Sequence, residues 1–352
     1  MDKIRFGIIG SGWRSLFYVR VAKALPQYFS LTGVLVRNEE KKRLMEDGYG
    51  VRAFFSREEF LGERPDFVVV AVNKAAIFSV TEEYARLGIP VLAETPLGLD
   101  KEDLSRAWRL KEQGARIQVA EQYFLYPSIR AKLEAAGANL LGEVHSVDLS
   151  CAHDYHAASL IRLFLGTGQQ ACALRGQEFY FPVLDTDSRA GITYEGEEKS
   201  QCRRLVTLEF PKGKVGFYDF SGVSYHSYIR SRHLRVYGPS GEIDDQWLRG
   251  VDENRNPYCM PFHEIRDSNE GGILGISLGE RTLYQTPFRG VRLTEDEIAI
   301  ATFMLGMREY LQTGKEVYPL SMALQDAYLS ILMNQAAKQP GQVVRTEPMI
   351  WN

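Results

Sequence analysis

Two short segments of the 352-residue chain carry residue types at spacings suited to chemistry. The first is Gly10-Ser11-Gly12-Trp13-Arg14-Ser15, directly after the apolar run that ends Phe6-Gly7-Ile8-Ile9. Gly10 permits a tight turn, Gly12 permits close backbone approach, and a helix starting beyond them would aim amide N–H groups and the positive end of its dipole at a diphosphate. The third glycine position holds Ser15. This is the pattern of a dinucleotide-binding turn, and a dinucleotide implies hydride transfer. The second segment is His153-Asp154-Tyr155-His156. Removing hydride from a carbinol carbon requires the hydroxyl proton to leave as well, and an imidazole near neutrality suits that task. Histidines three apart can also share a helix face as metal ligands. No HExxH spacing or further ligand cluster accompanies them, so no metal is expected.

The elements that must position these residues follow from periodicity. Phe6, Ile8 and Ile9 read as a buried parallel strand, and Tyr18, Val21, Ala22 and Leu25 as one face of a helix stopped by Pro26. Strands at 31–36, 51–55, 67–72, 91–94 and 117–122 alternate with helices at 39–46, 76–87 and 101–113. Such alternation predicts a doubly wound parallel sheet, a Rossmann domain over residues 1–122. Ligands of such sheets lie outside the carboxyl ends of the strands. Residues 123–352 read as a second, α+β domain for substrate binding and oligomerisation, with an open, largely antiparallel sheet. Strands are expected at 144–150, 203–210, 214–220 and 233–237, the middle two paired through Pro211-Lys212-Gly213. Helices are expected at 157–165, 295–313 and 322–339, with the C-terminal helix packing back on the first domain. Residues 252–270 read as a long excursion. Tyr225–His233 alternates aromatic with polar or basic residues and reads first as an exposed strand face or subunit interface, and second as a face for a polyhydroxylated or anionic ligand.

Composition excludes several classes. Acidic and basic residues are interspersed and the formal net charge is −3, which argues against nucleic acid and anionic membranes as partners. The N-terminal apolar run is too short to span a bilayer. Cys151, Cys172, Cys202 and Cys259 are dispersed without a CxxC, which fits reduced thiols and a cytoplasmic protein.

The end of the second strand bears on the choice of dinucleotide. An NAD-preferring site usually places Asp or Glu there for the ribose 2′-OH; this chain offers Val36, Arg37 and Asn38. Arg37 would attract a 2′-phosphate, so NADP is expected to be preferred over NAD. The expected cofactor contacts are therefore Gly10 to Ser15, Arg37 and Asn38. Val72 and Asn73, then Glu94, Thr95 and Pro96, then Gln122 complete them at the ends of the later strands. Tyr123 is expected to act at the substrate.

With these residues in place, the chain resembles the glucose–fructose oxidoreductase / inositol dehydrogenase / MocA family (Gfo/Idh/MocA). The likeness is carried by Gly7–Gly12, Val91–Leu97, Glu121–Pro127, Asp154–Gly166 and the C-terminal Thr313-Gly-Lys-Glu-Val with Gln325-Asp-Ala. The resemblance implies a Rossmann domain followed by an α/β domain, oxidation or reduction of sugars, cyclitols and related polyols, and a homodimer or homotetramer built through the C-terminal sheet. It also implies three differences. The family's Glu-Lys-Pro is Glu94-Thr95-Pro96 here; its His-x-x-Asp is His156-Ala-Ala-Ser159; its Pro-Asn then His is Asn73-Lys74-Ala75-Ala76-Ile77. His156 matches the family's histidine and is the expected proton-transfer group. Lys74 is placed to replace the missing lysine, and Asp154 or Glu121 to supply the missing carboxylate. Thr95, Tyr123, His153, Asp154, His156 and Ser159 are the expected substrate contacts.

Three functions stay open at this point. The first is an NAD(P)-dependent oxidoreductase for a small-molecule sugar, cyclitol or glycoside, including a redox-neutral variant that retains its cofactor. The second is a dinucleotide-binding regulator or sensor without chemistry. The third is a reductase of another class, of imines or linear tetrapyrroles.

Overall fold

The computed structural model describes residues 3–189 and 191–352. The N-terminal part runs β1 (Ile4–Ile9), α1 (Trp13–Ala24), β2 (Phe29–Leu35), α2 (Glu39–Arg43), β3 (Ala53–Phe54), α3 (Arg57–Gly62), β4 (Phe67–Val70), α4 (Lys74–Arg86), β5 (Val91–Ala93), α5 (Lys101–Glu112) and β6 (Ile117–Val119). The strands form one parallel sheet in the order β3-β2-β1-β4-β5-β6. All four residues of β4 are buried, as a strand covered on both faces must be. The chain reverses direction across the sheet between β1 and β4. Their carboxyl ends therefore leave a crevice into which the Gly10–Gly12 turn and the β4–α4 connection both open.

The remainder runs α6 (Pro127–Gly137), β7 (Ser146–Leu149), α7 (Asp154–Leu165), β8 (Ala173–Leu184), β9 (Asp187–Ser188), β10 (Gly191–Ile192), β11 (Glu198–Glu209), β12 (Val215–Ser221), β13 (Leu234–Gly238), β14 (Gly241–Asp244), β15 (Trp247–Val251), β16 (Pro257–Arg266), β17 (Ile273–Leu278), β18 (Arg281–Gln285), α8 (Glu295–Thr313), α9 (Leu320–Lys338) and β19 (Val344–Arg345). A mixed sheet of 11 strands results, antiparallel except where β12 meets β7. The hairpin of β11 and β12 is antiparallel, as the Pro-Lys-Gly turn requires. Helices α7 and α9 cover one face of this sheet, while α8 packs on α1 and α9 on α5 and β6.

Residues 127–137, for which no element was expected, form α6: Pro127 occupies its first turn, where a missing N–H costs nothing. Two expectations need correction. The presumed excursion at 252–270 contains β16, whose outward prolines, Pro257 and Pro261, masked a ten-residue strand with an alternating inward face. Tyr225–His233 is not a strand: a 3₁₀ turn spans Gly222–Tyr225, and irregular backbone continues to β13. Among the described residues no helix is long and apolar enough to cross a membrane.

Candidate active site

A cleft of 1690 Å³ lies along the carboxyl ends of β1, β2, β4 and β5 and is closed on its far side by α7 and the 220–232 segment. Single small-molecule pockets measure roughly 300–1,000 Å³, so this volume suits a dinucleotide and a substrate together.

The glycine turn forms one end. Gly10 has φ of +108°, and a Cβ there would lie 2.3 Å from the Ala71 carbonyl oxygen. Both the turn and the approach to β4 thus exclude a side chain. A Cβ on Gly12 would meet nothing within 4 Å, because Gly12 faces open cleft where a diphosphate would sit. Ser11, Trp13 and Arg14 also line the cleft. Ser15 does not, which corrects its assignment as a cofactor contact: it is fully buried with its hydroxyl 3.4 Å from the Ala71 carbonyl. It fills the helix–strand packing role of the third glycine.

Arg14 is the hub of the middle section. Its Nε donates to Glu94 Oε1 at 2.8 Å and its Nη1 to Asp296 Oδ2 at 2.7 Å. Tyr18 donates to the same Glu94 oxygen at 2.6 Å. Burial works against the Arg14 charge, but Glu94 and Asp296 outweigh it and hold the guanidinium firmly protonated. Asp296 reaches the site because α8 is seated by a Thr294–Glu297 capping box and by Arg20, which donates to Glu297 at 2.7 Å. Val72, Asn73, Glu94, Thr95 and Gln122 line the cleft as expected, whereas Pro96 does not and is buried behind Thr95. At the outer end Arg37 and Asn38 line it with Lys41, and the Asn38 side chain caps α2 by accepting from Lys41 N–H at 3.0 Å.

The inner end is built by α7. His156 is 5% exposed and lines the cleft; its Nδ1 lies 2.6 Å from Glu121 Oε2. Glu121 leaves the end of β6, and its other oxygen accepts from Tyr123 N–H at 3.2 Å. Glu121, not Asp154, therefore supplies the carboxylate that position 159 lacks. Burial pushes His156 down to about 3 and Glu121 well above the usual carboxylate range, so neither group takes charge readily alone. With Nδ1 engaged, Nε2 has no hydrogen-bond partner among the described residues and is left for the cleft.

Aromatic groups fix this imidazole. Tyr123 packs on it with ring centroids 4.3 Å apart, and Tyr155 at 4.5 Å. His153 is held at both ring nitrogens by hydroxyls, Tyr225 at 2.7 Å from Nδ1 and Tyr155 at 3.0 Å from Nε2. Burial, then repulsion from His156, lowers His153 to about 3. Asp154 has φ of +42° and is held by Tyr218, whose hydroxyl lies 3.3 Å from Oδ1, and by Arg204 at 3.5 Å. Lys74 starts α4 with Nζ 5.3 Å from the Tyr155 ring centre, so it does come to the site from the neighbouring loop. Ser159 corrects an expectation: it is fully buried, bonded to Tyr318 at 3.2 Å, and not part of the cleft. One helical turn beyond His156, it points into the helix packing.

Sequence reasoning did not assign cleft positions to Asp296 or Phe220; Tyr225, His226 and Arg232 line the cleft, in line with the second reading of their segment as ligand-facing. Asp296 had a local signal only for its helix start. Arg189, from the Asp185–Arg189 loop, lines the cleft with its guanidinium 4.5 Å from the Trp13 ring centre.

This arrangement is a Rossmann-type dinucleotide crevice facing a histidine–carboxylate pair. Residues 4–121 match the sequence model of GFO_IDH_MocA, described as an oxidoreductase family with an NAD-binding Rossmann fold. Over these residues the chain is similar to that family's NAD-binding Rossmann domain. It is 30% identical over 156 residues to the uncharacterized oxidoreductase ORF334 of Rhizobium meliloti, a stretch covering 42% of this chain and 45% of that relative. The match thus spans about half of each protein. The fold is similar over nearly the whole length to an oxidoreductase from Agrobacterium radiobacter solved with NAD+, L-tartaric acid and magnesium (TM-score 0.70, 14% identity, 97% of this chain and 98% of the other). It is also similar to GenD2 of gentamicin A biosynthesis solved with NAD (TM-score 0.68, 19% identity, 99% and 97%).

Proposed function

We propose that the protein is an NAD(P)-dependent oxidoreductase acting on a CH–OH group, or the matching carbonyl, of a sugar or cyclitol. The observation that carries this reading is the Glu121–His156 contact at 2.6 Å facing the dinucleotide crevice. The cleft fits a nicotinamide dinucleotide: Gly12 is open where the diphosphate would lie, and the Gly10 turn admits no side chain. When bound, the nicotinamide supplies the hydride acceptor or donor. The chain's own residues do the rest. The α1 N-terminus and Ser11–Trp13 hold the diphosphate, and Arg14 locks the turn to Glu94 and Asp296. In the oxidative direction His156 Nε2 takes the hydroxyl proton. In its ionised form, which burial shifts toward higher pH, Glu121 stabilises the imidazolium that forms and fixes its Nδ1–H tautomer. In reduction the same nitrogen returns the proton. Tyr123 and Tyr155 hold the ring orientation, and burial keeps their hydroxyls protonated well above the ordinary phenol range. Lys74 takes the place of the absent lysine as the nearby cation. The retained pair favours catalysis over the sensor reading.

NADP(H) is the preferred cofactor in this reading. Arg37 lines the outer cleft without an ion-pair partner among the described residues, and Val36, Arg37 and Asn38, directly after β2, include no carboxylate. Association of copies through the open face of the large sheet is supported by exposed Leu205, Phe217 and Trp247 on that face. The test is a panel of sugars and cyclitols assayed with both oxidised dinucleotides by the absorbance of reduced nicotinamide. The reading expects activity on members of the panel and its loss in His156→Ala with dinucleotide affinity retained. Unchanged turnover in that variant would remove His156 from the mechanism.

A further inference from the structure

The charges of the cleft do not balance, and two of the unbalanced cations stand on the tyrosines around the inner histidines. Each cleft carboxylate outside the dyad is already paired: Glu94 and Asp296 with Arg14, Asp154 with Arg204, and Glu58 and Glu83 with Arg57. Four cleft cations have no carboxylate within ion-pair range among the described residues: Arg37, Lys74, Arg189 and Arg232. Arg37 sits at the adenosine end and Arg189 over Trp13 of the glycine turn, where the dinucleotide's own phosphates would meet them.

Lys74 and Arg232 have no such anion. They stand at the two ends of one chain of contacts through the inner site. Lys74 Nζ lies 5.3 Å from the Tyr155 ring centre. The Tyr155 hydroxyl lies 3.0 Å from His153 Nε2, the Tyr225 hydroxyl 2.7 Å from His153 Nδ1, and the Arg232 guanidinium 5.4 Å from the Tyr225 ring centre. His153, held neutral, adds no charge of its own to the centre of this chain. An aromatic backing places each cation while leaving its N–H donors free, which is how guanidinium and ammonium groups are held ready for an incoming oxyanion.

We propose that the substrate of this site carries an acidic group, a carboxylate or a phosphate on the sugar or cyclitol, received by Arg232 with Lys74 adding field from the other end of that chain of contacts. The proposal rests on the oxidoreductase reading and narrows its substrate class. Arg232 offers a planar fork that grips either oxyanion; Lys74 offers a point charge.

Calorimetric titration of the full-length protein, first with NAD+ and NADP+ and then, saturated with the tighter of them, with D-glucose, D-glucuronate and D-glucose 6-phosphate and their galacto counterparts, tests this. At least one acidic probe is expected to bind about 30-fold tighter than its neutral parent, and the preference to fall about tenfold or more in Arg232→Gln. Lys212→Gln, on the β11–β12 turn away from the cleft, should leave the preference unchanged. Uronate and phosphate arms show which acid is read. Equal binding of acidic and neutral probes, no binding of any acidic probe, or a preference that survives Arg232→Gln overturns the proposal. Dinucleotide binding without acid preference sinks only this inference; failure of the first titration sinks the oxidoreductase reading beneath it.

Discussion

Glu121 Oε2 lies 2.6 Å from His156 Nδ1, joining the end of the last Rossmann strand to the first turn of α7 across 35 residues of chain. Both groups are buried, and burial opposes a net charge on either. Together they can accept one proton without creating an uncompensated charge, which neither does alone.

Glu121→Gln tests that coupling. An amide can still hold the Nδ1–H tautomer but cannot stabilise an imidazolium. The expected result is a fall in kcat of about 10²–10³-fold, with dinucleotide affinity within a factor of about three of wild type. Steady-state kinetics with a separate binding titration checks both.

The two turn glycines should fail differently. Gly10→Ala forces a Cβ against the Ala71 carbonyl at a positive φ, so stability should fall by about 2 kcal/mol or more, read by urea unfolding. Gly12→Ala meets open space, so stability should stay within about 1 kcal/mol while dinucleotide affinity falls about tenfold or more.

The chain's second domain contains a buried ion pair whose partners are not equivalent. Arg162 donates to Asp326, to the Gly168 carbonyl at 2.7 Å and to the Met322 carbonyl at 3.2 Å, while Tyr318 donates to Asp326 at 2.6 Å. Burial, only partly offset by Arg162 and Tyr318, raises Asp326 to about 7. Asp326 can therefore neutralise itself when unpaired; Arg162 cannot. Asp326→Asn should cost about 3–5 kcal/mol, and Arg162→Met clearly less, in denaturant melts of each variant.

Buried histidines set the acid limit of stability. Burial and then His156 lower His153 to about 3 from its ordinary 6.5, so as pH falls the unfolded chain binds the proton first. The contribution is intact above the unfolded value and is lost as pH falls toward the folded one. His156 behaves alike; Glu121, raised by burial, has the opposite sign, since the folded chain keeps a proton that the unfolded chain releases as pH rises. His153→Asn isolates one group: between about pH 7 and pH 4.5 the variant should lose about 2 kcal/mol less than wild type.

Arg37→Asp addresses the cofactor. The change should repel a 2′-phosphate and give the ribose hydroxyl an acceptor, shifting the NADP/NAD affinity ratio toward NAD by about 100-fold, read by titration with both.

The Rossmann half was legible in the sequence because its rules are local. Phe67–Val70 is uniformly apolar since both faces are covered, and Tyr18, Val21 and Leu25 recur at helical spacing. The placement of a ligand at the carboxyl ends of the strands followed from their alternation with helices, and His156 was legible by residue type. What could not be read was contact across the chain. Nothing near Glu121 distinguishes it from Asp154 as the partner of His156, and only folding brings Asp296 to Arg14 from 282 residues away. Ser15 and Ser159 sit at motif positions, yet face packing rather than cleft, because a side chain's direction depends on what its helix lies against. The 225–233 segment was read first as a strand face, since its alternation of aromatic and polar residues serves irregular backbone lining a cleft as well as it serves a strand.

Calorimetric titration of the purified protein with NAD+, NADH, NADP+ and NADPH is the most direct measurement of the whole account. One site per chain is expected, with NADP(H) bound more tightly than NAD(H) and with affinity lost in Gly12→Ala. Absence of heat with all four nucleotides, in protein shown to be folded, would contradict the account at its base.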